Sequence, residues 1–331
     1  MEKKINLLIS SIGRRGYLIK AFKKAMGQNT KLIVTNSNNF ATAKKYADFS
    51  YIIPNSYESN YFNEIIRICQ KHTIKFIISL HDVEIYFLSR MREKFSKYGI
   101  KLLIPDDELI NISFDKYKMY KWSKRNNLKV PKTYNKLSEF LKDPFYPAIV
   151  KNRFGYGSDK IQIVNNKKEL KFFFKYFNSQ LKTNPVLSSV KAKNYVIIQE
   201  LITGKEYGLD ILNNFNGQYI KAFVLEKLLM RAGETEIATI QKESGLIELG
   251  EIIGNKTKHL GIIDIDLIKN EKGYNIIDIN PRFGGHYPFF HKTGINVPNV
   301  YINWIKNKKI NNQELNIKKV KTFYKYLQII E

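Results

Sequence analysis

Between Gly261 and Phe283 the chain reads GIIDIDLIKNEKGYNIIDINPRF, and this stretch restricts the fold more than any other. Ile263, Ile265, Leu267, Ile277 and Ile279 recur at period two, the pattern of half-buried strands, and Lys269–Gly273 has the composition of a turn. Strand side chains alternate strictly. Burying the isoleucine face of such a hairpin therefore gathers Asp264, Asp266, Asp278 and Asn280 on the other face. Adjacent carboxylates repel one another unless something cationic sits among them. Hard oxygen ligands of this kind suit Mg²⁺, which binds through one or two carboxylates together with substrate phosphates. A solvated hairpin face satisfies the same pattern, so the hairpin alone leaves both readings open.

The first hundred residues alternate strand and helix. Ile5–Ser10, Lys31–Thr35, Tyr51–Pro54, Lys75–Leu80 and Lys101–Pro105 read as strands, and Arg15–Met26, Asn60–Lys71 and Val83–Tyr98 as helices. This alternation predicts a parallel sheet with helices on both faces. The first strand ends in Ser10-Ser11-Ile12-Gly13-Arg14-Arg15-Gly16, a turn into a helix N-terminus that can accept an anion or simply reverse the chain. A helix over Asp115–Asn126 follows, then a break at Pro131 and β-rich modules at Tyr146–Val164 and at Tyr195–Ile211 with Tyr219–Leu229. Leu181–Lys193 has no period and is expected to loop between them. Helices are expected over Gly245–Leu260 and Val297–Lys306, and an edge strand over Thr322–Ile330.

A chain of 331 residues with 44% apolar residues can bury two or three cores, which excludes a disordered protein. No apolar run reaches membrane-spanning length, and the start MEKKINLLISSIGRRGY is too quickly charged for a signal peptide. The single cysteine, Cys69, rules out an intramolecular disulfide and fits a reducing cytosol, so a cytoplasmic protein is expected, with Cys69 a core residue. A formal charge of +25 invites a nucleic-acid partner. Lysine is scattered along the whole chain, however, and no recognition motif accompanies it. Only weak, salt-sensitive association with polyanions follows, and no specific nucleic-acid or membrane partner is expected.

Two further segments carry chemistry. Tyr146–Lys151 is a strand ending in lysine, followed by Asn152-Arg153-Phe154-Gly155-Tyr156-Gly157-Ser158, whose small residues let backbone amides approach phosphate oxygens. Val196–Glu200 is an apolar strand leading to a second acid, Glu206. Taken in order, FDKYKMYKWSKRNNLKVPKTY (114–134), YPAIVKNRFGYGS (146–158), IIQELITGKEYGLDIL (197–212), EKLLMRAGET (226–235) and DINPRFGGHYP (278–288) resemble the ATP-grasp superfamily. The likeness is greatest to single-unit relatives of the carbamoyl phosphate synthase large subunit, and Asn-Pro-Arg after an acidic strand is its most specific element.

The resemblance implies an α/β fold, α+β in its C-terminal part. A Rossmann-like pre-ATP-grasp domain would cover 1–112, a lid subdomain with a glycine-rich loop 113–193, and a C-terminal subdomain with the metal site 194–331. It implies ATP and Mg²⁺, with Mn²⁺ able to substitute. Lys116 and Lys151 match the lysines on the ATP phosphates, and Arg153, Gly155, Gly157 and Ser158 the lid. Glu200, Leu201 and Ile202 match the adenine hinge, and Glu206 the ribose acid. Asp266, Asp278 and Asn280 match the metal ligands, Arg282 the arginine facing the transferred phosphate, and Arg231 a basic group near the acceptor. Asp82 and Glu84 are candidates for the acceptor pocket. Two departures stand out: aspartates occupy metal positions where glutamate or glutamine is usual, and His286 replaces a glycine, as a structural residue or a lining of the acceptor pocket.

The activity implied is ligation of a carboxylate to an amine, both small molecules and the first amino-acid-like, through an acyl phosphate. A homodimer is compatible with the family. A carbamoyl phosphate synthase-like enzyme acting on bicarbonate or carbamate is the alternative within the class, and a non-catalytic nucleotide- or polyanion-binding protein the alternative outside it.

Overall fold

In the computed structural model, which describes residues 5–28, 30–154, 160–188, 190, 192–310 and 312–326, three sheets follow one another along the chain. The first holds β1 (Leu7–Ser10), β2 (Leu32–Asn36), β3 (Phe49–Ile52), β4 (Phe76–Ser79) and β5 (Lys101–Leu102), parallel in the order β3-β2-β1-β4-β5. Its connections carry α1 (Gly16–Met26), α2 (Tyr61–Lys71), α3 (Asp82–Ser89) and α4 (Arg92–Lys97). β1 and β2 are almost wholly buried, as strands covered on both faces must be. From β1 the chain moves outward to β2 and β3, then crosses to β4 and β5 on the other side. That reversal opens a crevice outside the carboxyl ends of β1 and β4, where ligands of such sheets bind. Cys69 lies buried in α2, and burial pushes its thiol up to about 12.

The single helix expected over Val83–Tyr98 is two. Arg90 donates to the Tyr86 carbonyl at 2.8 Å and lays its guanidinium 3.4 Å over the Tyr86 ring, closing the last turn of α3.

Two helices, α5 (Asp107–Phe114) and α6 (Lys116–Arg125), lead to the second sheet, each N-capped by an aspartate. This sheet is antiparallel: β6 (Thr133–Tyr134), β7 (Ala148–Asn152), β8 (Ile161–Val164) and β9 (Val196–Glu200), in the order β6-β9-β7-β8. Val196–Glu200, which the division at 194 assigned to the C-terminal module, is hydrogen-bonded between β6 and β7 here. The helices are α7 (Leu137–Phe140), α8 (Lys167–Lys182) and α9 (Pro185–Ser188), so Leu181–Lys193 is not all loop. Asn166 caps α8 by accepting from the amides of Lys168 and Glu169, and Leu170, Phe177 and Leu181 bury its inner face. The exposed Phe172 and Tyr176 blur that period in the sequence.

The third sheet is antiparallel, with β10 (Lys205–Asn213), β11 (Tyr219–Arg231), β12 (Glu234–Gln241), β13 (Gly261–Asn270), β14 (Gly273–Asn280) and β15 (Thr322–Tyr324) in the order β14-β13-β10-β11-β12-β15. The edge strand thus ends at Tyr324; residues 327–330 of the expected strand lie outside the described residues. One face packs Leu209, Ile211, Ile263, Ile265 and Ile279 against α10 (Ser244–Thr257) and Met119 of α6. The other face shares a core with α1, α11 (Tyr287–Lys292) and α12 (Val297–Ile305), which joins the third sheet to the first. Phe22 of α1 meets Phe283 edge-on at 5.8 Å and Tyr301 of α12 at 6.2 Å. Such aromatic pairs add about 0.5–1.5 kcal/mol each beyond area burial. They hold Arg282, next in the chain to Phe283, against the crevice of the first sheet. No helix among the described residues is long and apolar enough to cross a membrane.

Candidate active site

Strand register builds the site. Asp266 stands opposite Asp278 and Asp264 opposite Asn280 across β13 and β14, while Gly208 and Asp210 of β10 face Asp266 and Asp264. Glu206 stands opposite Lys227 of β11. The acids therefore converge on one face, as the alternation predicts. The alternation fails once. A bulge after Asp266 pairs Leu267 with Ile276, so Ile276 is fully buried and Ile277 only half-buried.

Each aspartate of this face has a basic partner. Lys116, at the start of α6, reaches Asp278 Oδ2 at 2.6 Å from a nearly buried position, and its amide donates to the Arg153 carbonyl at 3.0 Å. Lys227 donates to Asp266. Burial opposes charge on both members of that pair, but their mutual attraction outweighs it, raising the lysine and lowering the aspartate. Arg282 donates through Nε to Asp82 Oδ2 at 3.0 Å and through Nη1 to Asp264 Oδ2 at 3.3 Å, bridging the first and third sheets. Burial acts against its charge too, and Asp82 with Asp264 overrides it.

Lys151 is different. It lies buried near the end of β7, and its side chain makes no hydrogen bond or ion pair among the described residues. Burial first, then Lys116 nearby, against some help from Asp278, pushes its ammonium down to about 7. A buried ammonium without an acceptor, beside a second lysine, is built to receive an anion.

His286 is buried between two carboxylates, with Nε2 2.7 Å from Asp210 Oδ1 and 3.2 Å from Asp264 Oδ1. Burial disfavours the imidazolium, but the two aspartates raise its pKa overall; Asp264, mainly by burial, is pushed up to about 6. Glycines make the room. A Cβ on Gly208 would lie 2.6 Å from the His286 ring, and one on Gly284 2.6 Å from Asp264 Cγ. His286 is thus a satisfied structural histidine at the border of the site.

Other expected residues fall as follows. Arg153 donates through Nε and Nη2 to both oxygens of Asp115, each at 2.7 Å, so its guanidinium braces the start of α6 and is not free over a triphosphate. Gly155, Gly157 and Ser158 lie outside the described residues. Glu200 accepts from the Lys132 amide at 3.1 Å, and its own amide donates to the Lys132 carbonyl at 2.9 Å. The backbone groups of Leu201 and Ile202 just beyond make no hydrogen bond among the described residues, which leaves them available to a flat heteroaromatic edge. Glu206 is exposed on the same face. Arg231 is not brought to the carboxylates. It is largely exposed at the end of β11 and pairs with Glu236 at 3.4 Å. Glu84 does not line a pocket either: it is buried and accepts from Ser10, Ser79 and Tyr61 hydroxyls.

Sequence reasoning passed over Lys227 and Asp210. Both were signalled: Asp210 shares the parity of Glu206 on one strand, and Lys227 sits in the EKLLMRAGET block that carried the resemblance.

Two oxygen carboxylates facing each other across paired strands, with Asn280 beside them, fit a small hard cation. Asp266, Asp278 and Asn280 are residues that could hold Mg²⁺.

Comparison with known proteins identifies the family and the fold. A family model described as an ATP-grasp domain matches residues 113–286, more than half of the chain, and one described as a PylC-like N-terminal domain matches residues 7–103. Similar solved structures include the biotin carboxylase domain of the Hydrogenobacter thermophilus 2-oxoglutarate carboxylase, in complex with MgADP, ADP and bicarbonate. It has a TM-score of 0.72 at 16% identity, covering 92% of this chain and 70% of that one. The N5-carboxyaminoimidazole ribonucleotide synthetase of Thermotoga maritima gives 0.68 at 17%, covering 96% and 78%. The L-amino acid ligase of Bacillus licheniformis gives 0.70 at 17%, covering 92% and 75%. At these identities the likeness establishes the fold.

Proposed function

Since the chain belongs to the ATP-grasp family, we propose that it is an ADP-forming ligase that activates a small carboxylate with ATP and joins it to an amine. The observation that carries this reading is the buried Lys151, without an acceptor among the described residues, set beside Lys116 and the facing carboxylates Asp266 and Asp278. In this reading Lys151 and Lys116 hold the phosphates, and the open backbone groups of Leu201 and Ile202 meet the adenine edge. Glu206 takes the ribose, Asp266, Asp278 and Asn280 hold Mg²⁺, and Arg282 faces the phosphate being transferred. The bound cation supplies charge neutralisation on the phosphates. The lysines add to it from fixed positions, where donors placed in advance stabilise developing charge most effectively. Residues 155 and 157–158 would add to the phosphate site, and the division near 112 separates the acceptor part from the rest, with Val196–Glu200 falling in the lid sheet.

The chemistry balances without a covalent protein intermediate. The substrate carboxylate takes the γ-phosphoryl group and ADP leaves. The amine nitrogen then forms the C–N bond while the acyl C–O bond breaks, its electron pair leaving on phosphate. Of the two protons the ammonium loses, one ends on phosphate and one in water. Binding and alignment of the reactants supply much of the rate.

The test is phosphate and ADP release over a panel of small carboxylates and amines, singly and in pairs, with bicarbonate as a separate arm. Release that requires one carboxylate and one amine, and is lost in Asp278→Asn, supports the reading. Stimulation by bicarbonate alone would replace it with the carbamoyl phosphate alternative. ATP binding with no turnover over the whole panel would point to a binding protein.

A further inference from the structure

The crevice at the switch point of the first sheet holds charges that the protein does not satisfy. At the carboxyl end of β1 the chain enters α1 with no side-chain cap and no acid in the first turn. The amides of Gly16 and Tyr17 have no acceptor among the described residues. The side chain of Arg15, which begins this turn, makes no hydrogen bond or ion pair among the described residues either. It sits in the fields of Arg282, Tyr17, Asp82 and Glu234, and burial together with Arg282 holds its guanidinium below the ordinary arginine range. At the carboxyl end of β4, Asp82 gives Oδ2 to Arg282, while its Oδ1 is buried with no donor. One wall of the crevice therefore lacks an anion and the other lacks a proton donor.

Both walls are fixed from below. Glu84 accepts from Ser10 at the end of β1, from Ser79 at the end of β4 and from Tyr61 at 2.7 Å. This ties together the two strand ends that carry Arg15 and Asp82. Arg282 then closes the crevice from the third sheet, with its other edge on Asp264, two residues from the proposed metal ligand Asp266.

An inorganic anion would satisfy Arg15 and leave Asp82 Oδ1 bare; a simple amine would do the reverse. We propose that this crevice seats a zwitterionic α-amino acid, with its carboxylate on Arg15 and the open amides of α1 and its ammonium on Asp82 Oδ1. The assignment rests on the ligase reading, within which it makes one of the two substrates an amino acid held by the N-terminal sheet. Arg15 and Asp82 are specificity residues for that substrate, and Glu84 is the positioning residue beneath them.

Calorimetric titration of the full-length protein without ATP tests this. The probes are the common L- and D-α-amino acids, each compared with its desamino acid and its decarboxylated amine. At least one amino acid should bind, and loss of either charged group should weaken it tenfold or more. Arg15→Gln should weaken the amino acid at least tenfold and leave Mg-ATP affinity unchanged, and Arg15→Lys should recover part of the loss. If Arg15→Gln does not fold, the panel on the unmodified chain decides alone. Absence of amino-acid binding across the panel, or equal binding of the desamino acid and the amine, overturns the proposal. The two readings fail separately. Phosphate release with other carboxylate–amine pairs but no amino-acid binding would leave the ligase standing and remove this seat. Amino-acid binding without any ADP formation would do the opposite.

Discussion

Replacing Lys151 by methionine should make the ligand-free protein more stable and the site useless. An unfolded lysine titrates near 10.4, whereas burial holds Lys151 at about 7 in the folded chain. Between those values the unfolded chain binds a proton that the native state does not, so stability rises with pH across that window. The penalty is fully present below about pH 7 and gone above about 10.4. Converted at about 1.4 kcal/mol per pH unit, it is on the order of 4 kcal/mol. Methionine keeps most of the stem's apolar contact and removes the ammonium. Urea unfolding of Lys151→Met and of the unmodified protein at pH 6 and pH 10.5 reads the difference directly. The variant should gain a few kcal/mol at pH 6 and much less at pH 10.5. Saturating Mg-ATP, which at 100-fold excess over Kd stabilises a binder by about 2.7 kcal/mol, should protect only the unmodified protein. A loss of stability at pH 6, or a gain independent of pH, would refute the reasoning, because it would mean the ammonium already has an acceptor in the fold.

Asp266→Asn should cost about 3–5 kcal/mol, since it strands the buried Lys227; adding Lys227→Met should restore the midpoint of thermal unfolding without restoring Mg-ATP-dependent phosphate release. Gly208→Ala should destabilise by about 1–3 kcal/mol, because its methyl would sit 2.6 Å from the His286 ring. His286→Gly on that background should relieve the clash, and a double-mutant cycle in urea that came out additive would sink the claim that Gly208 exists to seat the histidine. Glu84→Leu removes the acceptor of three buried hydroxyls and should cost at least ~2 kcal/mol. In steady-state kinetics it should raise KM for the acceptor substrate more than KM for ATP, and equal effects on both would argue for a merely structural Glu84.

What could be read in the sequence depended on whether a local rule governed it. The parallel first sheet and the acid face of β13 and β14 were legible because period-two patterning and strand–helix alternation are set by burial, residue by residue. Ile277 was misread because a bulge shifts register by one, and no composition rule marks where a bulge falls. The break between α3 and α4 was hidden because it comes from one side chain, Arg90, turning back onto Tyr86. Arg153 and Arg231 carry family positions, but their partners, Asp115 and Glu236, are fixed by tertiary contact and strand pairing that the motifs do not report. Lys227 and Asp210 were within reach through parity along β10 and β11, since residues two apart share a face. Asp82 and Arg282 meet across 200 positions of sequence, a pairing that only the shared core around Phe22 and Phe283 brings about.

The pattern of pairing within the site says which charges await a ligand. Lys116 is spent on Asp278, Lys227 on Asp266, Arg282 on Asp82 and Asp264, and His286 on Asp210. Buried pairs of this kind add little net stability, because desolvation offsets most of their attraction. What they do is keep four cations and their carboxylates in place at small cost until something exchanges with them. Lys151 and Arg15 stand outside the exchange, each without an acceptor among the described residues. One lies near the end of β7, the other at the start of α1. In the proposed reaction two anions arrive, a triphosphate and a carboxylate, and Lys151 and Arg15 are cations without an acceptor among the described residues that could receive them. If Asp266 and Asp278 hold a divalent cation, as proposed, Lys227 and Lys116 would lose their carboxylate partners and would be placed to meet phosphate. The carboxylates thus hold the lysines in reserve, so the nucleotide and its metal should each favour binding of the other, through the same two aspartates.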